Sequence, residues 1–239
     1  MLAIFKRDFK AYFTSPIGFL YLGSYILVLN LYFYLANLNA AYPTNSLGSV
    51  FSFMLLVMMF LTPILTMRVF SDEYRQKTDQ LMLTSPVKLS GIVIGKFLSS
   101  LAMFLCLLVL TLLWPATIAI VGQNNMAEVL GNYLGMICIG AAYISMGVFI
   151  SSLTENQVIA AVGSLGLFVG LYLLELLTVS LSTTLPGWAL AALRFVSIFG
   201  RYSDISAGLL ALDDFVYFLS ISAVFLFLTV RVLEKRRWS

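Results

Sequence analysis

The sequence predicts an all-α polytopic membrane protein with six transmembrane helices, and three observations carry that expectation. Apolar residues make up 61% of the 239-residue chain and charged residues only 10%, against roughly 45–50% and about 25% in soluble domains. So few charges cannot clothe a water-exposed surface, so lipid must be the solvent for most of the chain. The charges are also clustered, with none between Ala11 and Met67. Finally, the apolar runs lack the in–out alternation of a lipid-facing barrel strand, so helices must satisfy the backbone inside the bilayer.

The first element is an amphipathic helix over 1–15. At about 100° per residue, Leu2, Phe5, Phe9, Tyr12 and Phe13 share one sector, while Lys6, Arg7, Asp8 and Lys10 fall outside it. Such a helix lies in the headgroup layer, and Ser15-Pro16 then turns the chain into the first span. The apolar run that follows is too long for the core of a cleavable signal, and no small-x-small site closes it.

The spans fall at about 17–36, 50–70, 97–121, 131–153, 158–181 and 213–233, each near the ~20 residues that cross the hydrocarbon layer. The turn-rich Asn39-Ala-Ala-Tyr-Pro-Thr-Asn-Ser-Leu-Gly48 divides the first two. The segment 186–212 is apolar but carries Arg194 centrally and breaks at Gly200-Arg201. It is expected to form short helices in the outer leaflet, because a seventh crossing would carry the basic tail to the other side.

Orientation follows from the cations. Lys6, Arg7, Lys10, Arg68, Arg75, Lys77, Lys88, Lys96, Arg231, Lys235, Arg236 and Arg237 lie on one side, and only Arg194 and Arg201 on the other. Positive residues stay cytoplasmic, so both termini are expected there.

Several classes of chemistry find no support. The chain has no histidine, the commonest general base and metal ligand. Cys106 and Cys138 sit in apolar runs and read as small filler. Gly91-Ile-Val-Ile-Gly95-Lys96 imitates a phosphate-binding loop but is one residue short between its glycines, and Phe97 replaces the magnesium-binding Ser/Thr. Lys96 is expected instead to snorkel to the headgroups from the mouth of the third span. The pairs Gly131/Gly135 and Gly166/Gly170 allow close helix approach, with packing inside the chain preferred to a dimer seam. Glu175 stands alone within a predicted span. It belongs either to a substrate path or to a span that ends early, near the outer headgroups.

The connection over 71–90 is the informative polar stretch. It mixes both charge signs, turns apolar at Leu81-Met-Leu83, and ends at Thr84-Ser-Pro86, which breaks a helix. A short helix of this kind suits docking into a groove on a soluble partner, although a solvated loop would read almost the same.

At these residues the chain resembles the type-2 ABC transporter permeases, most closely the branch of the gliding-motility permease subunit. The resemblance rests on Met67-Arg-Val-Phe-Ser-Asp-Glu73, Lys77-Thr-Asp-Gln-Leu-Met-Leu-Thr-Ser-Pro-Val87 and Gly95-Lys-Phe97. It extends through Phe5-Lys-Arg-Asp-Phe-Lys-Ala-Tyr-Phe-Thr-Ser-Pro-Ile-Gly18, Gly131-Asn-Tyr-Leu-Gly135, Ser151-Ser-Leu-Thr-Glu-Asn-Gln-Val158 and Gly208-Leu-Leu-Ala-Leu-Asp-Asp-Phe-Val-Tyr-Phe-Leu-Ser220.

The resemblance implies one permease domain over 1–239 in a bacterial plasma membrane, with 71–90 as the cytoplasmic coupling loop. It implies pairing with a second copy or a related permease and with two ATP-binding subunits, which would hold ATP and magnesium. This chain would then have no catalytic residue, no cofactor and no nucleic-acid partner. Asp72 and Glu73 would open the coupling motif, and Thr78, Asp79, Gln80, Leu81, Met82 and Leu83 would form the coupling helix. The common family form Gly-Thr-x-Glu is here Lys77-Thr78-Asp79-Gln80, which leaves open which carboxylate meets the ATPase. The implied activity is movement, usually export, of a substrate. Force transmission to envelope proteins and a secondary carrier are the rival readings, the latter expected to show inverted repeats.

Overall fold

A computed structural model describes residues 1–38, 47–78, 88–121, 126–181, 186–187, 190, 193, 197–206 and 212–238. The described chain is helical: α1 (Leu2–Thr14), α2 (Pro16–Phe33, continued by a π turn over Tyr34–Leu38), α3 (Gly48–Thr66), α4 (Ser71–Arg75), α5 (Leu89–Thr111), α6 (Leu113–Val121), α7 (Met126–Leu153), α8 (Gln157–Ser180), α9 (Ile198–Ser206) and α10 (Leu212–Trp238). Six stretches are long and apolar enough to cross a membrane, namely Pro16–Asn37, Gly48–Arg75, Leu89–Ala119, Met126–Leu153, Gln157–Ser180 and Asp213–Arg237. The protein is a multi-pass membrane protein.

α7 is the centre of the bundle and packs against α3, α5, α8, α9 and α10. Small residues along α7 let its neighbours approach closely. A methyl group at Gly140 would meet the Phe104 ring of α5 at 2.2 Å, and one at Gly147 would meet Thr66 Oγ1 of α3 at 2.3 Å. At Gly135 the neighbours are Ile205 and Tyr202 of α9, so this glycine serves packing within the chain, as expected. The same expectation fails for Gly166 and Gly170. Among the described residues nothing lies within 4 Å of a Cβ built on either, because α8 turns this face away from the bundle.

The helix of the third span starts at Leu89, earlier than the pattern of charges suggests. Lys96 therefore sits two turns inside the helix, only 3% exposed. It does not snorkel to the headgroups, because carboxylates from two other elements reach it where it is.

α1 also has more than one apolar sector and one charged sector. Ile4, Asp8 and Tyr12, one turn apart, form the side that meets α5: Gly95 abuts Ile4 and the Met1 carbonyl, and Tyr12 reaches Ser100. A second side carries the rings of Phe5, Phe9 and Phe13, with neighbouring centroids 5.7 and 5.2 Å apart. Asp8, which amphipathicity alone assigns to the polar side, belongs to the protein-facing one.

Candidate functional site

A junction of several elements forms at the basic end of the bundle, around the five-residue helix α4. The chain leaves α3 through a turn at 67–70, which takes several backbone groups out of helical bonding. Ser151 of α7 repairs the break. Its Oγ accepts from the amides of Phe70 (3.1 Å) and Ser71 (3.3 Å) and donates to the Met67 carbonyl at 3.1 Å. Ser71 also donates its hydroxyl to the Met67 carbonyl. After Arg75 the helix stops, and Lys77 adopts a left-handed conformation (φ 56°), the usual way of closing a helix end.

Glu73 faces the opposite side of α4. Its Oε1 lies 2.9 Å from Lys96 Nζ of α5 and 2.7 Å from Arg7 Nη2 of α1. Asp8 completes the cluster, with Oδ1 2.7 Å from Arg7 Nε and Oδ2 3.4 Å from Lys96 Nζ. Lys96 further donates to the Val69 carbonyl at 2.7 Å and lies 5.1 Å from the centroid of the Phe70 ring. Two cations thus meet two anions, and the buried ammonium has three oxygen partners. That saturation makes burial of the charge tolerable, since an unpaired ion in this setting would cost several kcal/mol. Burial opposes the charge on Arg7, but the hydrogen bonds and charges of Asp8 and Glu73 outweigh it and raise the guanidinium pKa.

One turn further along α1, Tyr12 donates to the Leu65 carbonyl (3.2 Å) and shares a hydrogen bond with Ser100 Oγ (2.9 Å). Burial pushes its phenol up to about 12, so it stays protonated at ordinary pH. A cleft of about 200 Å³ opens on the cluster, with Ser15, Arg68, Asp72 and Ser99 among its walls.

Two further elements hold α4. Gln157, at the start of α8, donates from Nε2 to Asp72 Oδ1 at 2.7 Å, while Arg75 stands 3.6 Å from the same oxygen. Arg236 of α10 lies 4.0 Å from the centroid of the Tyr74 ring and 3.6 Å from Glu155. Side chains of α1, α5, α7, α8 and α10 therefore all converge on one short helix.

Of the residues singled out in the sequence, Asp72 and Glu73 both lie in α4, but with different partners. Thr78 is exposed, and its hydroxyl donates to the Glu73 carbonyl at 3.3 Å. Asp79, Gln80, Leu81, Met82 and Leu83 lie outside the described residues. Glu175 is remote from this junction. It accepts a hydrogen bond from Ser197, and the Ser197 Oγ in turn accepts from the Gly200 amide at 3.0 Å, so Glu175 meets the entry into α9.

α9 is tied down by Tyr202, whose hydroxyl donates to Asn132 Oδ1 at 2.7 Å, and by Arg201, 2.9 Å from Asp214 Oδ1. Sequence reasoning missed Arg7, Asp8, Lys96, Ser151 and Gln157. Only Asp8 left a usable signal, its spacing with Ile4 and Tyr12.

The family model for ABC-2 family transporter proteins matches residues 3–238. Comparison with curated proteins finds no match. With six apolar helices long enough to span a membrane and a family match over nearly its whole length, the chain belongs to the ABC-2 transporter family and is a multi-pass permease.

Proposed function

We propose that this chain is the membrane half of an ABC transporter and receives force from ATP-binding subunits through residues 78–83, which follow shortly after α4 in the sequence. The supporting observation is the convergence on α4. Glu73 binds α1 and α5, Asp72 binds α8, Ser151 holds the preceding turn, and Arg236 covers Tyr74. A push on the segment after α4 would reach these helices, most firmly through the buried Glu73–Lys96 pair. The basic residues at this end support a cytoplasmic orientation for it and for both termini, in what we take to be a bacterial plasma membrane.

In this reading ATP and magnesium belong to the partner. Two ATP-binding subunits close on ATP, the coupling segment moves with its groove, and α4 carries the displacement into α1, α5 and the α7–α8 corner. Two permeases, either two copies or this chain beside a relative, then exchange their access between the two sides of the membrane, a population shift driven by differential affinity. Export fits the family, and Glu175, which accepts from Ser197 at the entry to α9, is the candidate residue for its path. The gliding-motility likeness keeps force transmission to envelope proteins as the second reading.

The test is to express the Leu81→Asp/Leu83→Asp variant with its ATP-binding subunit and measure both co-purification and ATPase rate in membranes. The reading predicts loss of the complex, or an ATPase rate that the permease no longer affects. Wild-type values for both would reject it. Uptake into inverted vesicles separates substrate export from force transmission.

A further inference from the structure

A second cleft lies between the start of α5 and the end of α10. It measures about 440 Å³ and is lined by Lys88, Leu89 and Ser90 at the start of α5 and by Val230, Glu234 and Arg237 near the end of α10. The three α10 residues are spaced i, i+4, i+7 and so share one face. The charge of Glu234 is met by Arg231 at 2.8 Å. Among the described residues, neither Lys88 nor Arg237 has an ion-pair partner. No side chain caps the start of α5. The amides of Gly91 and Ile92 turn back to the Lys88 carbonyl, while those of Leu89 and Ser90 have no acceptor among the described residues. Two cations with no ion-pair partner among the described residues therefore line one cleft together with Ser90, at the positive end of a helix.

The walls identify the occupant. Both helices end here as membrane spans, Leu89–Ala119 and Asp213–Arg237, so the cleft stands at headgroup depth. Below it the same two faces continue as apolar surface. Ile94, one turn after Ser90, is 38% exposed, and Phe227, two turns before Glu234, is 56% exposed. A cationic mouth above an apolar track matches an amphiphile with an anionic head, and basic clefts between spans at a membrane face are known to take such headgroups.

We infer that the cleft formed by Lys88, Ser90, Val230 and Arg237 is a binding site for one anionic phospholipid, its phosphate between the two cations and its chains along Ile94 and Phe227. The inference needs no ATP-binding partner: Lys88 and Ser90 close the 71–90 loop, but the readout is lipid selectivity of the chain alone.

The full chain is reconstituted in phosphatidylcholine vesicles carrying trace spin-labelled phosphatidylglycerol or spin-labelled phosphatidylcholine, and the protein-bound fraction of each is compared. A basic residue near an anionic headgroup contributes on the order of five-fold, so wild type should prefer phosphatidylglycerol by about ten-fold or more. Lys88→Gln/Arg237→Gln should abolish that preference. Lys6→Gln/Lys10→Gln, which removes the same charge from α1, should keep it. Val230→Trp, which fills the cleft and leaves both cations, should also abolish it, so a folding defect in the double variant would not decide the matter.

Equal selectivity in wild type and Lys88→Gln/Arg237→Gln overturns the proposal. So does displacement of the labelled lipid by millimolar inorganic phosphate, which would make this a site for free anions. Unchanged lipid selectivity combined with loss of the co-purified ATP-binding subunit would assign the cleft to an acidic protein surface instead.

Discussion

Lys96 Nζ and Glu73 Oε1 stand 2.9 Å apart, joining the third span to the helical turn that follows the second. Because the lysine is almost fully buried, the pair is worth more as a constraint than as a source of stability. Replacing a buried pair with apolar groups can be neutral, while removing one partner costs about 3–5 kcal/mol. Lys96→Met and Glu73→Gln are therefore each expected to lower resistance to unfolding in graded denaturing detergent. The double variant should lose less than the two single losses together, with a coupling on the order of 1 kcal/mol or more. Arg7 is half exposed, so Arg7→Ala should change stability by no more than about 1 kcal/mol.

Ser151 supplies one hydroxyl to two amides and a carbonyl. Ser151→Ala leaves the Phe70 and Ser71 amides without that acceptor in a buried turn, at a cost of about 1–3 kcal/mol. The local signature is sharper than the global one: hydrogen exchange should speed up at residues 70 and 71 and stay unchanged in α2. Uniform protection across the turn would show that the hydroxyl is dispensable.

The glycines of α7 and α8 give opposite expectations for one substitution. Gly140→Ala pushes a methyl group into the Phe104 ring and should sharply reduce the yield of folded protein. Phe104→Ala should restore part of that yield, since the three nearest atoms belong to the ring. Gly166→Ala and Gly170→Ala meet no atom of the described residues and should be neutral or slightly stabilising in the isolated chain, by up to about 1 kcal/mol. A size-exclusion thermal assay on the variants reads all of these outcomes.

Much of the architecture was legible in the sequence because bilayer thickness and backbone hydrogen bonding leave few choices. Charge-free runs became membrane-length helices, and the sector of Phe5, Phe9 and Phe13 became the aromatic side of α1. Less was legible where charges pair over long sequence distance. Lys96 reads as a snorkelling residue because its partners, Asp8 and Glu73, lie 88 and 23 positions away, and nothing local marks them as neighbours. Ser151 was unreadable for a different reason: a serine that repairs a helix break looks like any other small residue in a membrane helix. Gly131/Gly135 and Gly166/Gly170 share one motif, yet only the first pair contributes a packed glycine, because spacing shows that helices can approach and not which helix does.

If α4 carries the partner's displacement into α1 through Glu73 and Arg7, the two helices move together when the partner binds ATP. The most direct measurement uses spin labels at Lys10→Cys and Gln76→Cys, with a second pair at Gln76→Cys and Met126→Cys, in the complex with the ATP-binding subunit. Distances are taken without nucleotide and with ATP trapped by vanadate. The account predicts an unchanged distribution for the 10–76 pair and a shifted one for the 76–126 pair. A 10–76 distance that changes with nucleotide while 76–126 stays fixed would contradict it.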